Sequence, residues 1–233
     1  MTDPSASSVA GAPPCVALTQ THRGHGVSAA VYYLGRALVA QDRRVLLGDL
    51  SRHASPIAGM AARQPLKNLV AWTPPPVAAR DLSTLLRKAR EQTTGHAEVV
   101  LLDMDAGLLE QPDGLDAEIG YIAILTEPTE ERQSEALRFI HRLLSHDRWI
   151  GRVGVIFSRV EPASAEGLPL QLEDETPVLG WLPADYALAA GEAYSLKGGE
   201  PARPHEAYLN ATLRLAQTLG RLVPIPRHGC DRL

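Results

Sequence analysis

Between Arg23 and Ser28 the chain reads R-G-H-G-V-S. Two glycines one residue apart let a backbone curl tightly and turn its N–H groups inward. A helix starting directly afterwards adds the positive end of its dipole, and together these features can cradle a phosphate. Ser28 stands where a hydroxyl would hold Mg²⁺, but the lysine that such loops use to reach the β- and γ-phosphates is replaced by Val27. Taken alone, the same residues also describe a tight strand-to-helix turn capped by a serine. His22, Arg23 and His25 bring charge to this stretch, as a solvated loop or as phosphate contacts. As metal ligands the two histidines lack a third partner in sequence reach.

Two carboxylates add to the pattern. The apolar run "RVLLGD" ends at Asp49 and "AEVVLLDMD" carries Asp103. A single aspartate at a strand end is commonly a cap or turn former. Two of them downstream of a glycine loop favour a nucleotide site, with Asp103 placed to position Mg²⁺ or its waters. Asp105 reads as an exposed loop residue with no base-and-nucleophile partner.

The elements that must position these groups alternate in type. Apolar runs at 15–20, 44–49, 97–105, 120–126, 152–158 and 177–183 read as six strands. Helical patterns cover 28–41, 81–92 with Asp81 as N-cap, 130–145 and 204–222. The segment 50–79 is undecided, although "WTPPPVAA" is no helix interior. The strands lack in/out alternation. The expected fold class is therefore α/β, with a mostly parallel twisted sheet flanked by helices on both faces. Ligands bind such sheets at the carboxyl ends of the strands, where the glycine loop, Asp49 and Asp103 fall. Tyr32, Tyr33 and Trp181 read as packing, "LEDET" (172–176) as a solvated loop, and Leu209, Leu213, Leu219 and Leu222 as a core-facing stripe.

Of 233 residues, 45% are hydrophobic and 21% charged, which fits one globular domain with a substantial core. The expected layout is a disordered leader over 1–13, one domain over 14–223 and a tail over 224–233. A net charge of -4 opposes strong nucleic-acid binding. Arg138, Arg142 and Arg148 read as a solvated helix face. Cys15 and Cys230 form neither a disulfide framework nor a metal knuckle, so a reducing cytoplasm is expected. There is no transmembrane run, and Pro224 and Pro226 oppose a membrane-targeting helix in the tail.

Over about residues 15–222 the chain resembles the MinD/ParA group of P-loop ATPases. "HRGHGVS" is similar to the deviant loop K-G-G-x-G-K-[ST], "LLDMDAGL" to D-x-P-A-G-[IL], and "PVLGWLPAD" to I-G-x-I-P-x-D near the adenine pocket. The resemblance implies a P-loop NTPase-like fold, ATP and Mg²⁺ as possible cofactors, and a homodimer or heteromeric protein partner. It also implies a site lined by His22, Arg23, Gly24, Gly26, Ser28, Asp49, Asp103, Ser158 and Pro183, with Ser28 and Asp103 on the metal. The departures bear on activity. The signature lysine falls on His22, its second glycine on Arg23, the Walker lysine on Val27, the proline of D-x-P-A-G on Asp105 and the adenine-side asparagine on Ser158.

The expectation is a cytoplasmic pseudo-ATPase with activity lost or very weak. It would serve as a regulatory or positioning subunit of a cell-surface, division or polysaccharide-secretion machine, for example one for cellulose. The alternative is an active ATP-binding, hydrolysing dimeric switch in which Arg23, with Lys197 or Lys67, replaces the lost lysines.

Overall fold

Continuous apolar runs stay in the interior only if helices cover both faces of the sheet they build. The computed structural model describes residues 13–22, 24, 26–51, 57–74, 82–93, 96–110, 115, 118–161, 172, 175–185 and 204–223. The strands are β1 (Cys15–Gln20), β2 (Val45–Leu50), β3 (Leu69–Trp72), β4 (Val99–Met104), β5 (Tyr121–Thr126), β6 (Val153–Val160) and β7 (Val178–Pro183). They form a seven-stranded sheet in the order β3-β2-β4-β1-β5-β6-β7. Every pairing in it is parallel.

The helices are α1 (Val27–Val39), α2 (Ile57–Arg63), α3 (Leu82–Thr93), α4 (Ala106–Leu109), α5 (Glu130–Leu144) and α6 (Glu206–Leu222). Buried side chains of α1, α2 and α6 share one core with Val16, Leu18, Leu47 and Leu101. Those of α3, α4 and α5 share the opposite core with Ala17, Leu46, Leu102 and Ile124. Helix α1 is buried along nearly its whole length, from Val27 to Leu38. At Gly35 a Cβ would lie 2.7 Å from a Leu47 methyl, so glycine lets α1 sit directly on β2.

Three expectations are corrected. The undecided segment contains α2 and the edge strand β3, so the described residues form seven strands rather than six. The leucine stripe of the last helix is misread. Leu209 and Leu222 are exposed, and the buried face is Tyr208, Ala211, Thr212, Leu215, Ala216 and Leu219. Small residues at 211 and 216 let α6 pack closely, with Tyr208 set edge-on to Tyr33. The "LEDET" run is not wholly solvated, since Leu172 and Thr176 are buried and the Thr176 hydroxyl donates to the Val153 carbonyl at 2.9 Å. Tyr32 and Tyr33 are both core residues. Half-buried Trp181 lies under the Arg214 guanidinium, and Arg148 lies over the ring of buried Trp149. Asp81, the 224–233 tail and all but the last residue of the leader lie outside the described residues.

At the amino rim of the sheet the chemistry is structural. Buried Arg90 pairs with Glu118 at 2.9 Å and donates to the Pro13 carbonyl at 3.0 Å. Neighbouring Cys15 is fully buried, and desolvation pushes its thiol from 9.0 up to about 12, with Arg90 opposing and Glu118 adding to the shift. The folded-state value is the raised one. Stability from this group is therefore complete below pH 9 and is lost as pH climbs from 9 toward 12, where the unfolded chain ionises first. Iodoacetamide at pH 8 is expected to leave Cys15 unmodified in the native protein and to alkylate it in urea, as read by peptide mass spectrometry. Native-state modification would contradict this burial.

Candidate functional site

Side chains alternate across a strand, so the core residues tell which way the acids point. Leu47 and Leu101 face α1, and Asp49 and Asp103 lie two residues further along the same strands. Asp49 and Asp103 are register partners of β2 and β4, and Asp103 is also the partner of Leu18 in β1. Both carboxylates therefore end on the α1 side of the carboxyl rim, 7% and 5% exposed.

Helix α1 starts over this rim. Gly24 and Gly26 adopt φ of 90° and 80°, left-handed conformations that glycine reaches without a Cβ penalty. Gly26 is the N-cap, and its carbonyl accepts from the Ala30 N–H at 2.8 Å. The Ser28 hydroxyl donates to Asp103 Oδ2 at 2.5 Å. Asp49 Oδ1 accepts from the Ser51 N–H at 3.2 Å and the Ser51 hydroxyl at 2.9 Å. At the foot of the loop the Thr21 hydroxyl oxygen is buried with no partner among the described residues. Space beyond Gly26 is open, with nothing within 4 Å of where a Cβ would stand. Curled glycines, an orphaned buried hydroxyl and a serine–aspartate pair suit a phosphate with Mg²⁺. Val27 does not join them: it is 4% exposed and belongs to the apolar core beneath.

The remaining site residues fall in different places. His22 is exposed and close enough to Glu135 of α5 to help hold that carboxyl low. The Arg132 hydrogen bond is the larger cause of that shift. Arg23, His25 and Lys197 lie outside the described residues. Lys67 stands two residues before β3, at the amino rim, roughly 15 Å along the strands from the loop, so it cannot serve there. Ser158 is buried, and its hydroxyl points into the sheet at the Thr126 carbonyl, 3.4 Å away, rather than toward a base. Pro183 ends β7, buried and in register with Val160. Asp105 is a half-buried N-cap of α4 rather than fully exposed.

One group was missed from sequence. Arg159 donates Nη1 to Glu127 Oε1 at 2.9 Å and Nη2 to the Gly24 carbonyl, tying the glycine loop to the ends of β5 and β6. Only its position beside Ser158 hinted at the rim; its reach to Gly24, 135 positions earlier, is a product of the fold.

A parallel seven-stranded sheet with helices on both faces has counterparts among solved structures. The fold is that of the MinD and ParA ATPases. A chain of the MinC:MinD cell division protein complex of Aquifex aeolicus is 18% identical with a TM-score of 0.65, over 93% of this chain and 100% of that one. Pyrococcus horikoshii MinD complexed with Mg-ADP is 16% identical, TM-score 0.60, over 90% and 97% of the two chains. A ParA family ATPase from Chlorobium tepidum TLS is 15% identical, TM-score 0.61, over 88% and 99%. No family model matches the chain, and no curated protein matches it in sequence. Among the described residues of this MinD/ParA-type fold no helix is long and apolar enough to cross a membrane, and no group of three metal-ligating side chains converges.

Ser28→Ala removes the hydroxyl from a carboxylate that keeps its other contacts. The expected loss is about 1–3 kcal/mol, read as a lowered urea midpoint with unchanged m-value. Ser28→Thr should retain most of the stability. An unaltered midpoint in the alanine variant would mean that the bond carries no weight in folding.

Proposed function

We propose that this MinD/ParA-like chain keeps the phosphate cradle of a nucleotide switch but not its hydrolytic chemistry, and that it works as a regulatory or positioning subunit. Val27 carries the reading. The first residue of α1, where the resemblance puts the phosphate-reaching lysine, is an aliphatic side chain packed into the core. A buried valine has no charge to follow the phosphoryl group. Fixed positive charge at the transferring phosphate is the main catalytic resource of phosphoryl transfer. The Ser28 hydroxyl and the Asp103 carboxylate lie together at the start of α1, which supports binding of ATP or ADP with Mg²⁺ in the absence of turnover.

A chain of this kind acts through its surfaces, as a homodimer or with a heteromeric protein partner. One structural neighbour is a MinC:MinD complex and another is MinD with Mg-ADP, which supports both a protein partner and nucleotide as a ligand class. The setting we favour is a cytoplasmic subunit of a cell-surface, division or polysaccharide-secretion machine, cellulose export being one example.

The test is calorimetric titration with Mg-ATP and Mg-ADP alongside phosphate release, for the native chain and Val27→Lys. The native chain should release no phosphate above background. Val27→Lys should bind nucleotide at least about tenfold more tightly, a gain of ~1.4 kcal/mol, while losing about 1–3 kcal/mol of stability from the disturbed core. Mg²⁺-dependent turnover by the native chain that disappears in Asp103→Asn would overturn the reading.

A further inference from the structure

We infer that Arg159 is the phosphate-binding cation of this site. Its guanidinium, resting on the Gly24 carbonyl, exchanges that carbonyl for a phosphate oxygen of a nucleoside di- or triphosphate while Glu127 keeps hold of its other arm. The inference rests on the phosphate cradle proposed above, and it supplies the charge that Val27 does not.

Three observations carry it. The first is backbone. Arg159 has φ of 58°, a left-handed conformation that residues with a Cβ avoid, and it sits where the β6–β7 register shifts between Phe157 and Val160. Irregularities of this kind re-aim side chains, and strained conformations gather at functional sites. In regular extended backbone, position 159 would point its side chain elsewhere. The second is reach. Nη2 bonds the Gly24 carbonyl, and a Cβ on Gly24 would stand 3.8 Å from the same nitrogen, so the guanidinium lies at the rim of the curl. The third is chemistry. A guanidinium is a planar fork of five donors matched to carboxylate and phosphate. One arm is oriented by Glu127, half-buried at the end of β5, and the side chain is 53% exposed and open to a ligand from solvent. Among the described residues, Arg132 and Glu135 on α5 are paired with each other at 2.9 Å rather than with the loop.

The experiment titrates Mg-ATP, Mg-ADP, pyrophosphate and inorganic phosphate into the full chain and into Arg159→Gly, Arg159→Asn and Arg159→Lys. Glycine and asparagine both tolerate the left-handed backbone, so the side chain is removed while strain is relieved, and circular dichroism with a melting curve checks the fold. ADP and ATP should bind the native chain, weaken at least about tenfold in the glycine and asparagine variants, and recover in part with lysine. Unchanged affinity without the guanidinium would overturn the inference, as would a native chain that binds none of the four. Tighter binding in Arg159→Gly would overturn it too, and would make the arginine a strap that blocks the loop. Orthophosphate binding as tightly as ADP, with the same dependence on Arg159, would remove nucleotide as the ligand. Phosphate release, measured in the same samples, decides the loss of hydrolysis separately.

Discussion

Helix α1 can occupy only one place. It lies on one face of the sheet between α2 and α6, Gly35 brings it against β2, and its first turn is fastened where Ser28 meets Asp103. Everything at the carboxyl rim takes its position from that constraint. The parallel sheet brings all strand ends to the same side. The α1 face of β2 and β4 then brings Asp49 and Asp103 under the helix start. The glycine loop has few residues in which to climb from β1 to α1, and it does so through two left-handed glycines. A bulkier residue at position 35 would lift α1 from β2 and disturb the loop, the serine and the acids together.

At this rim Arg159 is already paired with Glu127, and the first position of α1, where a lysine would stand, is Val27. Asp49, Asp103 and Glu127 stand near the loop, while the α1 terminus offers an effective charge of only about half a unit. Two unit charges 4 Å apart near a protein surface interact by about 4 kcal/mol. A helix end therefore supplies roughly half of what a fixed lysine would. In exchange, Val27 adds an aliphatic side chain to the core, worth about 1.5–3 kcal/mol when fully buried. The substitution moves position 27 from the electrostatics of the site to the packing of the fold.

Legibility in the sequence followed the length and regularity of each segment. The long apolar strands and the 3.6-residue pattern of α5 placed the architecture, because a strand buried on both faces has few alternatives. Strand β3 escaped. It has four residues, Val70 is 58% exposed on the sheet edge, and Trp72 runs into Pro74, so neither alternation nor an apolar run marks it. The burial of α6 was misread because leucines drew attention, whereas Tyr208 and the alanines make the contacts with α1. At the site, the glycines, Ser28 and the two aspartates were readable because each sits at a strand end or helix start. Ser158 turned inward because a hydroxyl on a buried strand finds the neighbouring carbonyl first. Arg159 was unreadable, since only the sheet brings β6 to the loop.

Binding and turnover ask different things of a cation. To hold a nucleotide, a positive group need only meet the ground-state charge of its phosphates, and an arginine at the rim suffices. To speed hydrolysis, it must bind the transition state more tightly than the ground state, which requires fixed placement where charge develops. A lysine rising from the first turn of α1 would share the rigidity of that helix. Arg159 reaches the loop from an exposed, irregular strand end and divides its fork with Glu127. Its charge is available but not preorganised at the γ-phosphate. The same geometry that lets Arg159 replace a lysine in binding therefore disfavours it as a replacement in catalysis.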